Sequence, residues 1–119
     1  MERTANTAWA CRVVATRTWP DEKEMPVTVV TVGRSLAFGG FAGEPFTQMG
    51  RDVKQRSKFT MTIPACCTGG SFGYFPMKDA FTVGGYENAT SRYAKGTAEA
   101  LVDGMVAQMN AFYDAAADK

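Results

Sequence analysis

Residues 32–46, VGRSLAFGGFAGEPF, decide the fold: they read as the end of one strand, a tight connection, a second strand, a two-glycine bend and a helix start. Just before them, residues 26–32 (PVTVVTV) place Val27, Val29 and Thr31 on one side and Thr28, Val30 and Val32 on the other. Such β-branched side chains on both sides suit a pleated backbone and predict a central strand covered on both faces. Gly33-Arg34-Ser35 closes a β-hairpin onto a second strand carrying Leu36, Phe38 and Phe41. Gly39, Gly40 and Gly43 weaken that strand near its end, which makes sense where the backbone bends or another segment approaches closely. Pro45 then sits where a first helical residue is favoured, and Phe46, Met49 and Val53 recur at helical spacing, predicting an amphipathic helix over about 45–56. The stretch therefore sets a lone carboxylate, Glu44, at a strand-to-helix corner, a place where α/β proteins concentrate chemistry.

On the N-terminal side, residues 8–19 (AWACRVVATRTW) suit a strand ending at Trp19-Pro20, with an acidic turn or short helical turn at 21–24. On the C-terminal side, residues 58–66 (KFTMTIPAC) alternate Phe59, Met61 and Ile63 with Thr60 and Thr62, and Pro64 marks a strand end or sheet edge. A glycine-rich loop follows at 68–75 (TGGSFGYF), then one helical turn at 76–81 opened by Pro76, then an irregular stretch at 83–95. Ala98, Leu101, Val102, Met105, Val106, Met109, Phe112 and Tyr113 mark one apolar face of a terminal helix over about 97–116. The sum is an α+β domain: a single-layer mixed β-sheet of about four strands packed with two main helices, in the order β, β, β, α, β, loop, α. No internal repeat or low-complexity linker interrupts it, and 119 residues with 45% hydrophobic content suit one domain over 1–119.

Thirteen basic against twelve acidic residues leave a formal charge of +1 with no basic cluster, which argues against nucleic acid as a partner. The chain contains no histidine, which removes the commonest general base and metal ligand. Cys11, Cys66 and Cys67 lack both zinc-site spacing and the even count of a disulfide framework, and read as buried thiols in a reducing compartment. With no apolar leader pattern and no long apolar run, the expectation is a cytoplasmic protein without a membrane-spanning segment. Asn88-Ala89-Thr90 matches a glycosylation sequon, a triplet that arises often by chance.

Each chemical candidate has a structural counterpart. Glu44 could act as a metal ligand or general base, but a carboxylate beside a helix start also satisfies orphan amides and meets the positive end of the helix dipole, and that role is favoured here. Cys66-Cys67 opening a glycine-rich loop suggests a nucleophile, yet nothing in the chain would activate its thiolate as a histidine would. Residues 68–73 lack the Gly-Lys-Ser/Thr ending of a phosphate loop and read as a turn that permits close packing. Arg92 and Lys95 could hold an anionic head group or simply be solvated. Tyr74, Phe75, Phe81 and Tyr86 either line an apolar cleft or pin the loop to the sheet.

Taken in order, GRSLAFGGFAGEPFTQMG, GGSFGYFPMKDAFTVGGYE, a short Ser-Arg segment and a terminal amphipathic helix resemble the last part of the catalytic domain of the neutral/alkaline non-lysosomal ceramidase family. The resemblance covers about residues 26–112, and residues 1–25 match less well. It implies a zinc-dependent amide hydrolase whose metal is held by two histidines from an earlier part of the domain, a glutamate at the Gly-Glu corner and a tyrosine in the later loop. The glutamate falls on Glu44, whereas the tyrosine position falls on Ser71, three residues before Tyr74. The Tyr-Glu pair that shapes the mouth of the family's site is retained as Tyr86-Glu87, and Arg92 follows in the Ser-Arg segment.

With no histidine, the chain alone keeps one of four zinc ligands, so the expectation is a noncatalytic domain with no cofactor, working by self-association as a homo-oligomer, specifically a dimer, or by binding another protein. The alternative is a zinc-dependent amide hydrolase completed by a separate histidine-bearing subunit, with Glu44 and the Tyr86 loop contributing in trans.

Overall fold

A computed structural model describes residues 14–15 and 17–116. The hairpin forms as the sequence implies: β1 (Val27–Val32) pairs antiparallel with β2 (Leu36–Phe41), with Val29 opposite Gly39 and Val30 opposite Phe38. Gly33 at the turn takes φ +53, a left-handed conformation that glycine adopts without a Cβ penalty. After a two-residue strand β3 (Glu44–Pro45), helix α1 (Thr47–Arg56) carries the chain back to β4 (Met61–Ala65), which pairs parallel with β2. Parallel neighbours need such a crossover, and here α1 supplies it. The sheet order is β1-β2-β4, so the fold is mixed α+β, with a second small sheet made by β3 and β5 (Tyr74–Phe75).

One face of the three-stranded sheet holds the core. Ala37, Gly39 and Phe41 of β2 and Thr62 of β4 point inward and are buried, with Val29 packed beside them. Helix α4 (Thr97–Ala115) lies on this face and buries Ala98, Val102, Met105, Val106 and Met109 of the predicted stripe, while Leu101 and Tyr113 are half-buried and Phe112 is exposed. Gly39 explains how closely it sits, since a Cβ there would meet the Met109 methyl at 2.4 Å and the Met105 sulfur at 2.5 Å. Helix α1 packs against both α4 and β4, burying Met49 and Val53 completely. Each such aliphatic side chain contributes roughly 1.5–3 kcal/mol on burial.

Polar groups tie the two helices together where α1 ends. Asn110 of α4 accepts from the Lys58 N–H at 2.9 Å and donates to the Arg56 carbonyl at 3.1 Å, satisfying groups that a helix terminus leaves open. The ion pairs Arg56–Asp103 and Lys58–Asp114, both 2.7 Å, lie beside it in solvent, where such pairs contribute less than about 1 kcal/mol.

Several expectations are corrected. β1 is an edge strand with one open face, not a central strand covered on both, because β-branched side chains record pleat compatibility and not the presence of a cover. In the 8–19 segment, residues 8–13 and 16 lie outside the described residues, while Val14 and Ala15 are helical and residues 17–18 form a turn closed by Arg17 N–H to the Val14 carbonyl, so the described part of the expected strand is not strand. Pro45 belongs to β3, and the helix begins two residues later, with Phe46 as an extended N-cap that makes no side-chain cap bond. The helical turn expected at 76–81 forms later as α2 (Ala80–Val83), started by Asp79, whose carboxylate accepts from the Ala80 N–H at 2.9 Å. The stretch expected to be irregular contains α3 (Tyr86–Thr90). Cys66 and Cys67 are exposed free thiols, since they follow the last residues of an edge strand and turn away from the core; Cys67 takes φ +50.

Candidate functional site

The corner at Glu44 is built by backbone hydrogen bonds that no periodicity announces. Residues 41–44 and 67–73 are laced together: Thr68 N–H donates to the Phe41 carbonyl, Phe72 N–H to Ala42, Cys67 N–H to Gly43 and Glu44 N–H to Gly73, all at 2.8–2.9 Å. Gly43 permits this approach, because a Cβ there would lie 2.6 Å from the Gly73 oxygen and 2.6 Å from the Phe75 ring. β3 and β5 then pair in parallel, with Glu44 opposite Tyr74 and Pro45 opposite Phe75. Ser91 and Tyr93 pin the loop from the other side, the Ser91 hydroxyl donating to the Tyr74 carbonyl at 3.0 Å and the Tyr93 hydroxyl to the Phe72 carbonyl at 2.7 Å.

This register brings Glu44 beside Tyr74 at the edge of an open cleft of about 870 Å³. The Glu44 carboxylate, followed by desolvation and by Tyr86 and Glu87, raises the Tyr74 pKa above its ordinary value of 10.0. Tyr86 packs edge-on against Tyr74, with ring centroids 6.1 Å apart, and Glu87 lines the cleft from α3. Asn88 fastens α3 to α2 by donating to the Ala80 and Gly84 carbonyls, which holds Tyr86 and Glu87 in place. Two further cleft residues escape the sequence reading: Asp79, which doubles as the cap of α2, and Arg51 on the polar side of α1. Three carboxylates face one guanidinium there, so the cleft disfavours an anionic ligand.

Ser71 and Arg92 lie elsewhere. Both border a second cleft of about 520 Å³ on the other side of the loop, where the Arg92 guanidinium stacks on Trp19 at 4.2 Å and Lys23 lies 4.1 Å over Phe72. Gly73, at φ +85, turns the chain between Ser71 and Tyr74 and so separates them. Tyr93, between these regions, has its pKa raised by burial against a smaller opposing effect of Arg92. Glu44 does not cap α1; its carboxylate is set against Tyr74 instead of the helix amides.

These positions bear directly on zinc. Among the described residues no group of three or more His, Cys, Asp or Glu side chains is placed to hold a metal. Of the positions matched to zinc ligands only Glu44 faces the larger cleft, Ser71 faces the other, and the chain has no histidine. Among the described residues the donor set does not fit a zinc centre by itself.

The other feature with functional weight is the outer face of the sheet. Its rows run Val32–Leu36–Met61, Val30–Phe38–Ile63 and Thr28–Gly40–Ala65, nine positions without a single charge. The last row is partly roofed, since Thr68 lies directly on Gly40. On the other two, Val30, Val32, Phe38, Met61 and Ile63 are exposed by 54, 59, 39, 57 and 39%. A solvated sheet face ordinarily alternates to polar residues, and this one does not. Among the described residues no helix is long and apolar enough to cross a membrane. No protein-family model, no curated protein and no solved structure matches the chain, so the likeness to the ceramidase-like family rests on the residues quoted for it and nothing else.

Proposed function

We propose that this chain is a noncatalytic association domain, related to the end of a ceramidase-like hydrolase domain, that works by covering its outer sheet face with another protein surface. The observation that carries this reading is the uncharged outer face, with five large apolar side chains open to solvent on two adjacent rows. An apolar area of this kind marks an interaction site far more often than a solvated surface. The reading also accounts for a sheet that buries only one side: a larger hydrolase domain would cover the second face, and in this chain an associated surface takes that place.

Hydrogen exchange at increasing protein concentration, and with candidate partners added, tests it. Amides of β1, β2 and β4 should gain protection on association, and the double variant Val30→Lys/Ile63→Lys should keep the fold while losing that gain. Exchange on these strands that is indifferent to concentration and to every added protein would sink the proposal.

A second reading, an amide hydrolase site completed in trans by a histidine-bearing subunit, draws support from one observation: Glu44, Tyr74 and Glu87 line one cleft, with Tyr86 packed edge-on against Tyr74. It requires that subunit to bring at least the two imidazoles that this chain lacks. Native mass spectrometry decides between the two readings, because the association domain retains no stoichiometric zinc whether single or assembled, while the completed site retains one ion only in a complex with a second kind of chain.

A further inference from the structure

We infer that the surface covering the outer sheet face is the same face of a second copy, so that two three-stranded sheets close into a β-sandwich around a two-fold axis running along β2. This rests on the association reading of that face and names its occupant. Three observations on the patch point to a copy of itself.

The first is area. The five exposed apolar residues amount to roughly 450 Å² per copy. With Leu36, Thr28 and Ala65 at the margin, the pair would bury about 1,200 Å², the lower end of ordinary specific interfaces. An interface of that size supports a dimer that forms at micromolar concentration.

The second is charge. None of the nine outward positions is ionisable in the neutral range, so the face carries no signal that would select a basic or acidic partner, and a formal charge of +1 gives two copies almost no mutual repulsion. Apolar composition of this degree is the mark of homodimer interfaces more than of transient mixed ones.

The third is shape. Phe38 sits on the middle strand, with the smaller Val30 and Val32 on the β1 side and the larger Met61 and Ile63 on the β4 side. An axis along β2 lays β1 of one copy over β4 of the other, so that valines oppose the longer side chains and the two layers interdigitate. Sheets packed this way sit about 10 Å apart, which these side chains fill.

Sedimentation velocity on the full chain, from micromolar to near-millimolar concentration, is run on wild type, Phe38→Lys and Ile63→Lys. The result expected is a wild-type dimer with a micromolar midpoint, and monomeric variants whose circular dichroism matches wild type and whose melting temperature matches that of wild type diluted below the midpoint, since both side chains are already partly exposed. Two variants guard against a single failure to fold. A wild-type monomer that strongly binds the apolar dye anilinonaphthalene sulfonate, with loss of that binding in Phe38→Lys, overturns the second copy but leaves the face open for another protein. A monomer that does not bind the dye overturns the association reading as well. A dimer that both variants retain overturns this geometry.

Discussion

Replacing Gly43 with alanine tests the contact that holds the candidate site together. The added Cβ would sit 2.6 Å from the Gly73 carbonyl oxygen and 2.6 and 3.0 Å from two carbons of the Phe75 ring, where comfortable contacts need about 3.5 Å. Neither neighbour yields easily. The Gly73 oxygen accepts the Glu44 N–H at 2.9 Å, and Phe75 is 1% exposed and packed on Tyr93 with ring centroids 5.0 Å apart. Overpacking of this kind costs about 1–3 kcal/mol, and weakening the Glu44–Gly73 hydrogen bond adds about 0.5–1.5 kcal/mol. The less flexible unfolded chain of the alanine variant offsets about 0.4–1 kcal/mol. The net loss is about 0.5–4 kcal/mol, centred near 2, or a melting temperature lower by about 2–16 °C for a domain of this size. Thermal melts followed by circular dichroism measure it. Spreading β3 from β5 also moves Glu44 away from Tyr74, so the Tyr74 titration should fall in the same variant. A melt within about 2 °C of wild type, with the tyrosine titration unchanged, would refute the close approach and the corner built on it.

Glu44→Gln should lower the Tyr74 titration midpoint toward the ordinary value of about 10, read by ultraviolet difference absorbance, because Glu44 is the largest influence raising it. The sign for stability follows: a folded-state pKa above the unfolded value contributes stability that is fully present below about pH 10 and is lost as pH rises through the raised value, so the variant, with less of the shift left, should lose less stability than wild type above about pH 10. Gly104→Ala, at an exposed position of α4 where a Cβ meets no atom within 4 Å, should raise stability by about 0.8–1 kcal/mol; an unchanged or lower melting temperature would mean that α4 is not a continuous helix there.

What the sequence reveals follows the length over which a pattern repeats. The stripe of α4 runs over 19 helical residues and is unmistakable, and the hairpin is legible because three turn residues separate two apolar runs. β3 and β5 have two residues each, too few for any period to show, and their pairing depends on Gly43 meeting Gly73 across 30 positions of chain. The tyrosine-bearing cleft was legible only in its parts. Glu44, Tyr74 and Tyr86-Glu87 are visible as candidates, but that Glu44, Tyr74 and Glu87 line one cleft while Ser71 and Arg92 face another follows the turn at Gly73. Asp79 carries a detectable signal, an acidic residue just before a short helix, whereas Arg51 looks like any polar residue on the solvent side of α1. The misreading of β1 has the plainest physical cause: Val30 and Val32 would satisfy a covered face, and the sequence of one chain does not say where the cover comes from.

The cleft and the open sheet face are not independent surfaces, because the chain passes from one to the other within four residues. Ala65 ends the outer row that begins at Thr28, Cys66 lines the larger cleft, Cys67 donates to the Gly43 carbonyl beside Glu44, and Thr68 returns to the sheet to lie on Gly40. A surface laid over Val30, Phe38 and Ile63 would come up against this segment, which leads to the backbone that sets Glu44 against Tyr74. Substitutions at 65–68 would therefore disturb both surfaces at once, while Phe38 and Glu44 each report on one. If association orders the segment, the Tyr74 titration of the wild type should depend on protein concentration and that of Phe38→Lys should not, an outcome that ties the exposed face to the cleft at Glu44.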